Sequence, residues 1–161
     1  MDADMTCQVD LEDIMQDQDI VLCIDTSKCT FYNAVMCFKP KMPVLKEMID
    51  YITANVLAHR YDLDHLAVTG PIAITKVMRK RYPELFFNRD NRSKKVRLRA
   101  GDYVVNDDKI RILYRRRTRI KDKDDNVLIH SKYAAYDDER VSSGGSDYYY
   151  LWDNKLVYRD L

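Results

Sequence analysis

Read from its amino end, the chain first offers apolar positions at Leu11, Ile14 and Met15, enough for one short helical turn. Between Asp19 and Asp25 lies an uninterrupted apolar run, Ile20-Val21-Leu22-Cys23-Ile24, the pattern of a strand covered on both faces. Phe31 to Phe38 repeats that pattern with one polar residue, Asn33, which in a covered strand is expected to be buried and hydrogen-bonded. Pro40 and Pro43 close the loop behind it. Pro43 can open a helix, because the amide proton it lacks would have no intrahelical partner there. Val44, Leu45, Met48, Ile49, Ile52 and Val56 then recur at helical spacing to about Leu57, predicting a helix that covers the sheet.

Leu66-Ala67-Val68 leads into Thr69-Gly70-Pro71, after which Ile72, Ile74, Val77 and Met78 predict a second helix reaching Arg81. The turn offers free backbone N–H groups and a threonine hydroxyl at a helix N-terminus. It is either a helix cap or a phosphate-binding turn. Between Pro83 and Ser93 the composition turns polar, and residues 88–93 read as a surface loop. Alternation returns at residues 96–99, 103–105 and 110–114, the pattern of half-exposed strands, and Val127-Leu128-Ile129-His130 adds another. Ser142-Ser143-Gly144-Gly145-Ser146 reads as a flexible loop ahead of an aromatic closing segment, Tyr148-Tyr149-Tyr150-Leu151-Trp152.

Composition narrows the classes. The 161 residues suffice for one domain with its own core. Lys+Arg 27 against Asp+Glu 26 leaves a net charge of +1, which points away from nucleic acid as a global partner. No apolar run approaches the roughly 18 residues of a membrane span and no signal peptide opens the chain, so a soluble, cytoplasmic protein is expected. Cys7, Cys23, Cys29 and Cys37 lack C-x-x-C spacing and read as reduced core thiols. The densest basic run, residues 115–121, is either a solvated strand and turn or a phosphate-binding patch; Asp122, Asp124 and Asp125 follow at once and are expected to neutralise it.

The chain opens on a D-x-D, Asp2 and Asp4. On an extended strand two carboxylates spaced by two point the same way and can share one hard cation, Mg²⁺ or Mn²⁺. The same pair also occurs in solvated acidic tails.

Taken in order, D-A-D-M, the L-E-D-I turn, F-Y-N-A-V-M-C-F-K-P, an amphipathic helix and A-V-T-G-P-I-A-I-T resemble glycosyltransferase family 32 over about residues 1–82. The resemblance implies an α/β chain: the C-terminal half of a GT-A type mixed sheet with flanking helices, followed over residues 83–161 by a strand-rich tail, all one domain. It implies a metal-dependent, retaining transfer from a nucleotide-diphosphate sugar to an acceptor hydroxyl on a glycan or glycoconjugate. Asp4 would hold Mn²⁺ or Mg²⁺, with Asp2 helping to position ribose or metal. Asn33 would bind the donor sugar, and Thr69, Gly70 and Pro71 would line the same pocket. His130 would be a further metal or phosphate ligand, and Trp152 a further donor-site residue; no residue is assigned a catalytic role. A histidine ending an apolar strand is also the pattern of a structural residue.

In that family the D-x-D lies deep in the domain, after the units that bind the nucleotide base. Here it opens the chain. The expectation is therefore a truncated domain whose nucleotide-binding half is absent or comes from a partner chain, with activity alone in question. The rival class is a non-catalytic module using the basic strand 115–121 and the tyrosine-rich tail to contact nucleic acid or protein.

Overall fold

The apolar run at Ile20–Ile24 is a strand buried along its whole length, and the rest of the molecule is layered on it. The structure, a computed structural model, describes residues 5–27, 29–61, 64–88, 96–132 and 148–158. In chain order the strands are β1 (Thr6–Cys7), β2 (Ile20–Ile24), β3 (Phe31–Phe38), β4 (Phe87–Asn88), β5 (Val96–Arg97), β6 (Gly101–Val105), β7 (Asp108–Arg116), β8 (Arg119–Lys121) and β9 (Val127–His130). The helices are α1 (Leu11–Met15), α2 (Pro43–Leu57), α3 (Pro71–Arg81) and α4 (Tyr148–Asp153), with 3-10 turns at His65–Ala67 and Pro83–Leu85.

Among the described residues the main sheet is mixed, in the order β1-β9-β8-β7-β2-β3. β7 pairs in parallel with β2 on one edge. Its other edge is shared, first by β6 and then by β8, both antiparallel. β4 and β5 form a separate two-stranded ribbon. The α/β architecture expected from the pattern is therefore present, with β2 and β3 in one mixed sheet and α2 and α3 packed on it.

Strand periodicity divides the core. Ile20, Leu22 and Ile24 of β2 face α2 and α3 with Ile110 and Ile112 of β7, meeting Val44, Met48, Ile74, Val77 and Met78. Val21 and Cys23 face the other way, with Leu113, Ile120 and Ile129, and α1 covers them through Ile14. Each such side chain contributes about 1.5–3 kcal/mol on full burial. β1 and β3 stand at opposite ends of the strand order, yet Met5 and Cys7 pack into the same cluster as Tyr32, Val35 and Cys37. The sheet thus curls until its two ends share one core.

Two expectations about the core need correction. The four cysteines are all free, as expected, but only Cys23 is buried; Cys7 and Cys37 are half-buried and Cys29 is exposed. Burial pushes the Cys23 thiol well above its usual range, which keeps it protonated and inert. β3 ends the strand order, and Ile49 and Leu57 of α2 are exposed, so part of the helix's apolar stripe covers nothing among the described residues.

Candidate functional site

β2 and β7 run in parallel, so their carboxyl ends lie at the same end of the sheet, the place where open α/β sheets bind ligands. Asp25 follows β2 directly and Arg115 stands near the end of β7. The Arg115 guanidinium lies 4.4 Å over the Tyr32 ring, with Nη1 3.6 Å from Asp25 Oδ1 and Nε donating to the Arg117 carbonyl at 2.9 Å. Strand, anion and aromatic ring together fix this arginine.

Asn33 departs from expectation. Val21 pairs with Cys37 and Leu22 with Met36, but Ile24 pairs with Phe31, so two steps along β2 answer five along β3. The surplus residues, Tyr32 to Ala34, leave the regular ladder as a bulge, and Asn33 is exposed rather than buried. A bulge turns a side chain out of the pleat, which here presents an amide at the sheet end.

Thr69, Gly70 and Pro71 stand at the start of α3. Gly70 is the N-cap and Pro71 the first helical residue; no side chain caps the helix, and Thr69 is exposed. The glycine has a packing reason of its own, since a Cβ there would lie 3.0 Å from the Leu66 carbonyl oxygen and 3.1 Å from its Cα. Two polar residues inside apolar helical stripes hold the turn in place. Thr75 Oγ1 accepts the Phe31 amide proton at 2.9 Å and donates to the Pro71 carbonyl at 2.7 Å, tying the turn to the start of β3. Asn55, buried on α2, donates through Nδ2 to the Val68 carbonyl at 2.9 Å. The sequence reading passed over both, although a polar residue set among Ile52 and Val56, or Ile74 and Val77, was a usable signal.

Trp152 is buried rather than open to a ligand. Its ring lies 4.9 Å from that of Tyr61 and meets His65 edge-on at 6.5 Å, and the Lys155 ammonium sits 5.7 Å above it. α4 thereby docks on the segment leading into the Thr69-Gly70-Pro71 turn.

His130 belongs to a cross-strand row. Arg116 pairs with Arg119, Arg119 with His130, and His130 with Thr6, so the four side chains leave one face of the sheet at the same end. The neighbouring row, Arg115, Ile120, Ile129 and Cys7, turns inward. Asp2 and Asp4 lie outside the described residues; Asp4 stands two positions before Thr6 in the chain. Among the described residues no group of three His, Cys, Asp or Glu side chains is gathered as for a metal.

The three aspartates after the basic run neutralise it only in part, through the pairing of Asp125 with Lys121. Asp122 Oδ1 accepts the amides of Asp124 and Asn126, each at 2.9 Å, and Oδ2 accepts the Asn126 side-chain amide at 2.9 Å. Partial burial works to raise the Asp122 carboxyl, and these bonds outweigh it and hold the group below the usual range. Asp125 takes the Lys121 ammonium at 2.8 Å and the Tyr114 hydroxyl. Arg116 and Arg119 are left exposed without an ion pair among the described residues. No family model, curated protein or solved structure matches the chain.

A polar cleft of about 370 Å³ opens elsewhere, beside Arg111, Asp102, Asp122 and Lys123, and none of the sequence-predicted residues lines it. Arg111 is fully engaged there, donating to Asp102 at 2.8 Å, to the Ile14 carbonyl at 3.1 Å and to Gln16 at 3.0 Å. It braces α1 against β6 and β7.

Proposed function

We propose that the chain acts on nucleotide-diphosphate sugars, as a metal-dependent retaining glycosyltransferase similar to family 32 on a GT-A type sheet. The observation that carries this reading is the curl of the sheet. Met5, directly after the D-x-D, packs in one cluster with Tyr32, next to Asn33, although β1 and β3 are at opposite ends of the strand order. Thr75 joins the start of β3 to the Thr69-Gly70-Pro71 turn, and His130 lies opposite Thr6. Segments scattered through the chain thus share one core cluster, one hydrogen-bonded turn and one strand pairing, which supports a common pocket.

On this reading Asn33, turned out by its bulge, hydrogen-bonds hydroxyls of the donor sugar, and the Thr69-Gly70-Pro71 turn forms the neighbouring wall. Asp4, with Asp2 and His130, would hold Mn²⁺ or Mg²⁺; the half-buried His130 beside Thr6 is compatible with a carboxylate-rich ligand set. When bound, the ion supplies charge stabilisation for the departing diphosphate. The acceptor would be a hydroxyl of a glycan or glycoconjugate. No described helix is long and apolar enough to cross a membrane.

The test is calorimetric titration of Mn²⁺ in the presence of a nucleoside diphosphate, on the protein and on Asp4→Ala. A clear loss of affinity in the variant is expected. Equal affinities would remove the metal site, and a panel of uridine and guanosine diphosphate sugars that releases no nucleotide would remove the transferase. Arg116 and Arg119, exposed and without an ion pair among the described residues, favour a second reading, a nucleic-acid-binding module, in which affinity would fall steeply with salt, by about one unit of slope per phosphate contact.

A further inference from the structure

We infer that Arg116 and Arg119 form a phosphate-binding site that works without the D-x-D metal and receives a phosphate carried by the acceptor. The two arginines close the hairpin between β7 and β8, with only Arg117 and Thr118 between them, and stand directly opposite each other. Like charges so placed repel, and folding alone gives no reason to keep them together. No carboxylate among the described residues forms an ion pair with either arginine: Asp122 closes its own turn, and Asp125, bound by Lys121 and Tyr114, attracts Arg116 only from a longer distance. Arg117 holds φ 56°, a left-handed conformation that Gly, Asn or Asp would adopt at lower cost, so the loop carries an arginine where turn chemistry favours another residue.

Two guanidinium forks on adjacent strands, about 5 Å apart at their Cα atoms, can share the oxygens of one phosphate. Their position separates them from the strand that follows the D-x-D. Thr6, the described residue nearest the D-x-D in the row, stands two strands from Arg119 and three from Arg116, about 10 and 14 Å at the usual strand spacing. Two distinct anions fit that separation better than one diphosphate. The acceptor assignment rests on the transferase reading; the phosphate site itself does not.

The experiment is titration with mannose 6-phosphate in EDTA, on the protein, the double variant R116Q/R119Q, the single variant R119Q and Asp4→Ala. Binding by the protein and by Asp4→Ala is expected, with a loss of about tenfold or more in the double variant and a smaller loss in the single one. Thermal melting of the double variant should be unchanged or raised by relief of the repulsion, which separates lost contacts from lost fold. Absence of binding by the protein, or equal affinity in the double variant, overturns the site. Displacement of the sugar phosphate by a nucleoside diphosphate with Mn²⁺ overturns the acceptor assignment, because the arginines then serve the donor. Tighter, steeply salt-dependent binding of single-stranded RNA, lost in the same double variant, also overturns it, in favour of a nucleic-acid surface. Mn²⁺ binding that fails in Asp4→Ala while phosphate binding in EDTA persists tells the two sites apart.

Discussion

The amide of Phe31 donates to the hydroxyl of Thr75 across 2.9 Å, joining the first residue of one strand to the second turn of a helix more than forty positions away in the chain. The hydroxyl passes its own proton to the Pro71 carbonyl, so a single side chain satisfies both elements. Thr75→Val keeps the shape and leaves a buried amide without an acceptor, which costs about 1–3 kcal/mol. Thr75→Ser keeps both bonds and is expected to cost clearly less. Urea denaturation of the two variants checks this; a valine variant as stable as the serine one would show that the bond contributes nothing.

Much of this arrangement was legible in the sequence where burial is continuous. The apolar run at Ile20–Ile24 and the helical spacing from Pro43 to Leu57 and from Pro71 to Arg81 each gave the element within its observed bounds, because a single interaction, burial, decided them. Asn33 was misread for the same reason: apolar neighbours on both sides imply a covered strand, and nothing local announces surplus residues that only β2 can measure. The curl that packs Met5 and Tyr32 on one core cluster, and the parallel pairing of β2 with β7, join distant segments that no window contains. The aspartates after the basic run were read as its counter-charges from adjacency along the chain, and among them Asp125 alone forms an ion pair with the run, at Lys121. Asp122 instead turns its oxygens onto its own tight turn. α4 was visible only as an aromatic stretch, since its burial depends on Tyr61 and His65, nearly ninety residues earlier.

Asp19 aligns the strands whose ends carry the site, and its charge makes that alignment depend on pH. Its amide donates to the Lys109 carbonyl and its Oδ2 accepts the Lys109 amide, each at 2.8 Å, while Oδ1 meets the Lys39 ammonium at 2.6 Å. The Lys39 hydrogen bond first, then that of the Lys109 amide, hold the carboxyl below its ordinary value of 3.8. The folded state therefore releases this proton more readily than the unfolded chain. The stabilisation is complete above about pH 4 and is lost as pH falls through the lower, folded value. Asp19→Asn removes the charge without changing the shape. The stability gap between the protein and this variant, from denaturation at pH 6.5 and pH 2.5, should be wide at the first and narrow at the second. A gap independent of pH would assign Asp19 a role in packing alone.

Asn33 separates function from folding most cleanly, because its side chain is exposed on a bulge and nothing in the core depends on it. Asn33→Ala is expected to leave stability within about 0.5 kcal/mol of the parent, as surface substitutions do. If the exposed amide holds the donor sugar, the same variant loses one to two hydrogen bonds to a bound ligand, a fall of about tenfold or more in turnover per unit of donor. Binding of the bare nucleoside diphosphate should not change, since that molecule carries no sugar for Asn33 to touch. The measurement is nucleotide release against donor concentration, beside calorimetry with the nucleoside diphosphate alone. Loss of both to the same degree would move Asn33 from the sugar to the nucleotide, and loss of neither would leave the bulge without a part in binding.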